Sequence, residues 1–305
     1  MFKALKPITL AMALVASLAG GVRADVVVGS KLDAEATLLG NMVLLMLDAN
    51  GIKTQDRLTL GGTPVVRKAI IGGEIDIYPE YTGNAAFFFN KADDPVWKSL
   101  EQGYEEARKL DLEANKIVWL APAPANNTWA IALRQDVAEK AKVATMSEFG
   151  KWVAGGGKVV LAASAEFVNS AAALPSFQQA YGFTLKPEQL IVLSGGDTAA
   201  TIQATANQTN GANAAMVYGT DGAIAVSGLT VLDDDLHVQP VYAPAPIVRE
   251  ATLEANPKIP EILAPVFASL TRETLQDLNA QIQVEGLPAR TVAKDYLQSK
   301  GFLAK

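Results

Sequence analysis

The chain of 305 residues contains no cysteine and a single histidine, His237, and nothing after its N-terminal segment is apolar for long enough to cross a bilayer. Without thiols there can be no disulfide, thiolate nucleophile or cysteine metal site. One imidazole leaves little for histidine-based acid–base chemistry or zinc ligation, so no metal or other cofactor is expected. Aromatic residues make up only 7% of the chain, so the places where they gather carry information. Positive charge is also short: 26 Lys and Arg against 32 Asp and Glu give −6, which argues against nucleic acid or an anionic lipid surface as partner.

What is present begins with an export signature. Lys3 and Lys6 make a cationic start, residues 8–18 are apolar, and Val22-Arg23-Ala24 supplies a small-residue site before Asp25. This reads as a secretory signal peptide over residues 1–24, removed on export; its apolar run falls well short of the roughly 20 residues a membrane span requires. No cysteine follows the cleavage point, so a free periplasmic protein is expected rather than a lipid-anchored one. Taking 24 residues from 305 leaves 281, and taking their three positive charges from −6 leaves −9. That length exceeds one usual domain core and suits two lobes.

Along the chain, residues 26–28 form a short β-branched run. Residues 34–50 then place Leu38, Leu39, Met42, Leu45 and Met46 at helical spacing before Gly51. Residues 57–60 read as a strand, Thr63-Pro64 as a helix start capped by the threonine, Gly72-Gly73 as its end, and residues 75–78 as the next strand. The alternation resumes with strands at 129–133 and 158–161 around a helix at 146–153, and the device of Thr63 and Tyr78 returns weakly at Thr198 and Tyr218. Alternating strands and helices imply α/β lobes with mostly parallel sheets. Crossovers are expected near 122–127 and 236–246, with the C-terminal helices, striped by Leu275, Leu278 and Ile282 and by Val292, Tyr296 and Leu297, packing back on the first lobe.

In open α/β sheets ligands bind beyond the carboxyl ends of the strands. The residues found there are Gly29-Ser30-Lys31, the block from Tyr78 to Asn84, Asn126-Asn127-Thr128-Trp129, Tyr218-Gly219-Thr220-Asp221-Gly222 and Tyr242-Ala243-Pro244. Tyr81, Trp129, Tyr218 and Tyr242 thus fall where they can face one cleft. A quaternary ammonium has no N–H to donate, and π-faces can hold it at about 0.5–2 kcal/mol each. Lys31, between a strand and a helix start, could neutralise a ligand carboxylate. Glu166 and Asp221 are carboxylates at similar strand ends and serve equally well as helix caps or loop holders.

Catalytic patterns are missing. Ser164 lacks a Gly-x-Ser-x-Gly context, and the Gly155-Gly156-Gly157-Lys158 and Gly195-Gly196-Asp197-Thr198 stretches match neither phosphate loops nor dinucleotide loops. Asp233-Asp234-Asp235 lacks the spacing of a calcium loop and reads as a solvated acidic turn.

Taken together, Gly29-Ser30-Lys31, Tyr78-Pro79-Glu80-Tyr81-Thr82-Gly83, residues 123–129, Tyr218-Gly219-Thr220-Asp221-Gly222 and residues 243–250 resemble the glycine betaine/choline-binding proteins of ABC importers, the ProX and OpuC kind, with most likeness to the OsmF branch. The resemblance covers essentially the whole mature chain. It implies a type II periplasmic-binding-protein fold: two α/β lobes joined by two crossover segments, with residues 25–124 and 241–305 as lobe 1, 125–240 as lobe 2, and a ligand cleft between them. It further implies an aromatic cage of Tyr81, Trp129, Tyr218 and Tyr242, Lys31 facing the ligand carboxylate, and a monomer that docks on an inner-membrane permease driven by its ATPase. Two departures stand out: Asn84 where many relatives have threonine, and Val168-Asn169-Ser170-Ala171-Ala172 where relatives place an arginine that grips the carboxylate. Losing such a charge-assisted contact costs about 1.5–3 kcal/mol, so weak betaine binding is expected, with choline losing less. The competing expectations are a receptor for an amino acid or polyamine, for which Glu80, Glu166 and Asp221 offer carboxylates, and an enzyme on the same two-lobed fold.

Overall fold

The computed structural model describes residues 25–193 and 198–304. The expected signal segment and the Gly195-Gly196-Asp197 stretch lie outside the described residues. The strands in chain order are β1 Val26–Lys31, β2 Thr54–Gly61, β3 Ile77–Tyr81, β4 Ile117–Trp119, β5 Trp129–Arg134, β6 Leu161–Ser164, β7 Leu190–Leu193, β8 Ala214–Tyr218, β9 Leu229–Val231 and β10 Pro244–Arg249. They form two five-stranded sheets, ordered β2-β1-β3-β10-β4 and β7-β6-β8-β5-β9. The chain leaves the first sheet after β4, builds the second, and returns as β10. This is the two-lobed α/β architecture of type II periplasmic binding proteins.

The sheets are mixed, which corrects the mostly parallel expectation. The segments β2-β1-β3 and β7-β6-β8 are parallel, but β10 runs antiparallel to β3 and β4, and β5 antiparallel to β8 and β9. A strand that enters a sheet straight from the other lobe arrives at the cleft end, where the parallel strands finish, and so must run against them.

Strand positions shift for local reasons. The strand expected at 75–78 is β3, which starts at Ile77 because the Asp76 carboxylate accepts from Val27 N (2.9 Å) and replaces a ladder bond; pairing of Pro244 with Tyr81 then extends it. Likewise the expected 158–161 strand begins at Leu161, since the Asn213 side chain takes the Val160 amide (2.9 Å). Thr63 is not a cap: Gly62 occupies that position without a side-chain bond, and Thr63 is the first residue of the helix Thr63–Gly72.

The helix Ala34–Ala49 is buried on most sides, and Leu38, Leu39, Met42 and Met46 share a core with Leu275, Leu278, Val292, Tyr296 and Leu297 of the C-terminal helices. The second sheet has its own core around Phe149, Phe167 and Phe177. Two irregular segments, 120–128 and 238–243, pass between the sheets and are bonded to one another, with Asn127 N donating to Tyr242 O (3.0 Å) and Tyr242 N to Asn126 Oδ1 (2.8 Å).

Candidate functional site

A cavity of about 520 Å³ opens between the sheets at the strand ends, lined among others by Lys31, Tyr81, Asn84, Trp129, Tyr218, Asp221 and Tyr242. Seven of the eight residues singled out from sequence therefore meet in one place. Glu166 does not line it: it stands exposed in the first turn of the helix Ala165–Asn169, and burial, with a smaller contribution from the Glu166 charge, raises the Tyr218 pKa. A larger hollow of about 750 Å³ on the other side of the crossovers contains His237 and Lys98, but Trp129 is its one aromatic residue.

The rings come from both sheets. Trp129 opens β5 and Tyr218 closes β8, directly opposite in the antiparallel register, and their rings stack at 6.4 Å with an interplanar angle of 22°. Phe167 supports Trp129 edge-on at 6.0 Å. Tyr242 belongs to the returning crossover and packs flat on Gly83, where an added Cβ would sit 2.8 Å from the ring. Burial pushes the Tyr242 phenol up to about 12, so it stays neutral across the physiological range. Phe87, 61% exposed at the mouth, is a further lining ring that sequence reasoning missed. Its signal was present: a Phe-Phe-Phe run that begins three residues after Asn84, the end of the tyrosine block.

Lys31 and Tyr81 are engaged internally. Lys31 Nζ is paired with the fully buried Glu80 and lies 4.6 Å from the Tyr81 ring centroid. Glu80 Oε1 also accepts from Asn84 Nδ2 (2.7 Å) and Tyr81 N (2.8 Å), and Oε2 from the Tyr78 hydroxyl (2.8 Å). The only Lys or Arg lining this cavity among the described residues is thus already paired with a buried carboxylate. Asn84 is a member of the same network. Asp221 holds its own turn, accepting from Tyr218 N (2.7 Å).

Sequence reasoning also passed over Glu35, Asn279 and Gln283. Glu35 sits in the first turn of the helix Ala34–Ala49, 4% exposed. It accepts from the Tyr81 hydroxyl (2.8 Å), Asn127 Nδ2 (3.2 Å) and Asn279 Nδ2 (2.7 Å). Burial raises its pKa, and hydrogen bonds from Thr220, Tyr81 and Asn279 work against that rise. Asn279 and Gln283 belong to the helix Arg272–Gln283, a first-lobe helix that reaches across to the second lobe.

Comparison with known proteins bears on this geometry. The family model for the substrate binding domain of ABC-type glycine betaine transport systems matches residues 24–299. The chain belongs to that family. It is 55% identical over 294 residues to the glycine betaine-binding protein YehZ of Escherichia coli, covering 96% of each chain, and 27% identical to a glycine-betaine-binding protein of Pseudomonas aeruginosa, covering 90% and 88%. Its fold superposes on the apo structure of the Escherichia coli YehZ with a TM-score of 0.89 at 56% identity, over 92% of this chain and all of the other. A glycine betaine/carnitine/choline transporter structure at 20% identity shares the fold, with a TM-score of 0.82 over 91% and 99%. Family membership makes the chain the substrate-binding component of an ABC betaine transport system. No helix among the described residues is long and apolar enough to cross a membrane.

Proposed function

We propose that this protein is a periplasmic receptor that captures a trimethylated ammonium between its lobes, 25–124 with 241–305 on one side and 125–240 on the other, and delivers it to an inner-membrane permease with its ATPase. Residues 1–24 direct export, and the mature receptor acts as a monomer. The observation that carries the ligand reading is the gathering of Trp129, Tyr218 and Tyr242 around a cavity whose single lining cation among the described residues, Lys31, is bound to Glu80. Methylated nitrogen suits such walls, because the rings supply attraction without requiring an N–H. A ligand carboxylate finds no free cation, so glycine betaine is held weakly and choline is penalised less. Tyr81 contributes as a wall held by Glu35.

The amino-acid or polyamine reading loses ground on the same geometry. Glu80 has no exposed surface, Glu166 stands off the cavity, and Asp221 holds the turn after Tyr218. Titration of the refolded protein with choline, glycine betaine, putrescine, proline and arginine tests the proposal. Saturable heat from the two quaternary amines supports it, and heat from putrescine or an amino acid with neither quaternary amine responding overturns it.

A further inference from the structure

Helix Arg272–Gln283 carries a row of amides, Gln276, Asn279 and Gln283, on the side next to its apolar stripe, and all three read the backbone of the loop that follows Tyr218. Gln276 Nε2 donates to Gly219 O (2.8 Å), Asn279 Nδ2 to Thr220 O (2.8 Å), and Gln283 Oε1 accepts from Gly222 N (3.1 Å). The contact is close: a Cβ on Gly222 would lie 2.3 Å from Ala280 N and from Asn279 C. This seam joins a first-lobe helix to the second-lobe loop behind a cage ring.

Glu35 stands at the centre of the seam. One carboxylate oxygen takes the Tyr81 hydroxyl and the Asn127 amide of the crossover; the other takes the Asn279 amide that also holds Thr220. Asn279 donates to both the Glu35 carboxylate and the Thr220 carbonyl, two acceptors that fix its amide orientation, and Asn127 donates to Glu35, so both ties run through the carboxylate. We propose that Glu35 is the positioning residue of the cage: it locks Tyr81 of the first lobe to the crossover and, through Asn279 and the Thr220 side chain, to the loop that sets Tyr218 of the second. The inference rests on the cage reading above. Affinity for a trimethylated cation then depends on Glu35 through the placement of rings on both walls.

The chemistry makes Glu35→Gln a sharp perturbation. It removes the negative charge and turns one of the two acceptor oxygens into N–H₂, so either the Asn279 amide or the Tyr81 and Asn127 donors lose their acceptor unless they reorient. Asn279→Asp is the counterpart, setting a second carboxylate against Glu35. The other charged or titratable groups around that point are Asp33 at the helix cap, the Tyr81 hydroxyl, and Lys31 over the Tyr81 ring. Two carboxylates in contact raise the pKa of one of them, so acid relieves the repulsion by letting the pair share a proton.

The test is choline titration of wild type, Glu35→Gln and Asn279→Asp, with amide hydrogen exchange over residues 219–222 as an independent readout. Glu35→Gln is expected to weaken choline about tenfold or more, as loss of a charged hydrogen-bond acceptor does, and to speed exchange at 219–222. Asn279→Asp is expected to bind poorly at pH 8 and to recover toward pH 5, a profile that a merely structural role would not give. Unchanged affinity and unchanged exchange in Glu35→Gln overturn the proposal, as does a flat pH profile in Asn279→Asp. Should wild type bind no quaternary amine, the cage reading fails by itself; exchange at 219–222 then decides alone, with acceleration in Glu35→Gln supporting the tie and no change overturning it.

Discussion

Replacing Glu80 by alanine is the most informative single perturbation of the site's framework. The substitution strips its partner from the ammonium of Lys31, a residue only 6% exposed, and it leaves the Tyr78 hydroxyl, the Tyr81 amide and the Asn84 side chain without their acceptor. Breaking a buried ion pair from one side costs about 3–5 kcal/mol, because the remaining charge is uncompensated. At roughly 2–4 °C per kcal/mol for a chain near this size, the melting temperature should fall by on the order of 10 °C. Lys31→Met should cost less, since Glu80 keeps three neutral donors. The double variant should recover part of the loss of Glu80→Ala, because no orphan charge is left. Thermal and urea unfolding followed by circular dichroism read all three. A loss under about 1 kcal/mol for Glu80→Ala, or strict additivity in the double variant, would refute the reasoning: the pair would then not be formed in solution, and Lys31 would be free to grip a ligand carboxylate.

Other positions give further outcomes. Tyr218→Ala or Trp129→Ala should each weaken choline by about three- to thirtyfold, the range of one cation–π wall, with fold retained by circular dichroism. Gly83→Ala drives a methyl into the Tyr242 ring and should weaken choline with little change in melting temperature, whereas Gly222→Ala, with backbone 2.3 Å from the new Cβ, should destabilise by about 1–3 kcal/mol in urea. An arginine introduced at Ala172, which lines the cavity as Ser170 does not, should tighten glycine betaine and leave choline unimproved in parallel titrations.

The cage was legible in the sequence because its rings stand just beyond strand ends, where the topology of an α/β sheet puts ligand contacts, and because aromatics make up only 7% of the chain. Trp129 and Tyr218 could be assigned to one cleft from position alone; their direct pairing needed the antiparallel register of β5 and β8. The Lys31–Glu80 pair was hidden for a different reason. The two residues are 49 apart, and a lysine after a strand looks the same whether it faces a ligand or a buried carboxylate. Glu35 was hidden by its ordinariness, since an acidic residue in the first turn of a helix is what the helix dipole favours anyway. The amides of Gln276, Asn279 and Gln283 share the helix's turn spacing and read as a solvated face beside the apolar stripe of Leu275 and Leu278; only the other lobe's loop shows what they hold. Strand boundaries moved where a side chain, Asp76 or Asn213, took over a backbone bond.

The central claim is that methylated nitrogen is what this cleft recognises, through rings and without a free cation. Calorimetric titration of the mature protein, unfolded and refolded to remove carried ligand, should be run with choline and glycine betaine beside their unmethylated counterparts, ethanolamine and glycine. The account predicts saturable binding of the two trimethylated compounds, betaine the weaker, and no heat from ethanolamine or glycine. Binding of the unmethylated pair as strong as that of the methylated pair, or betaine binding far tighter than choline, would contradict it.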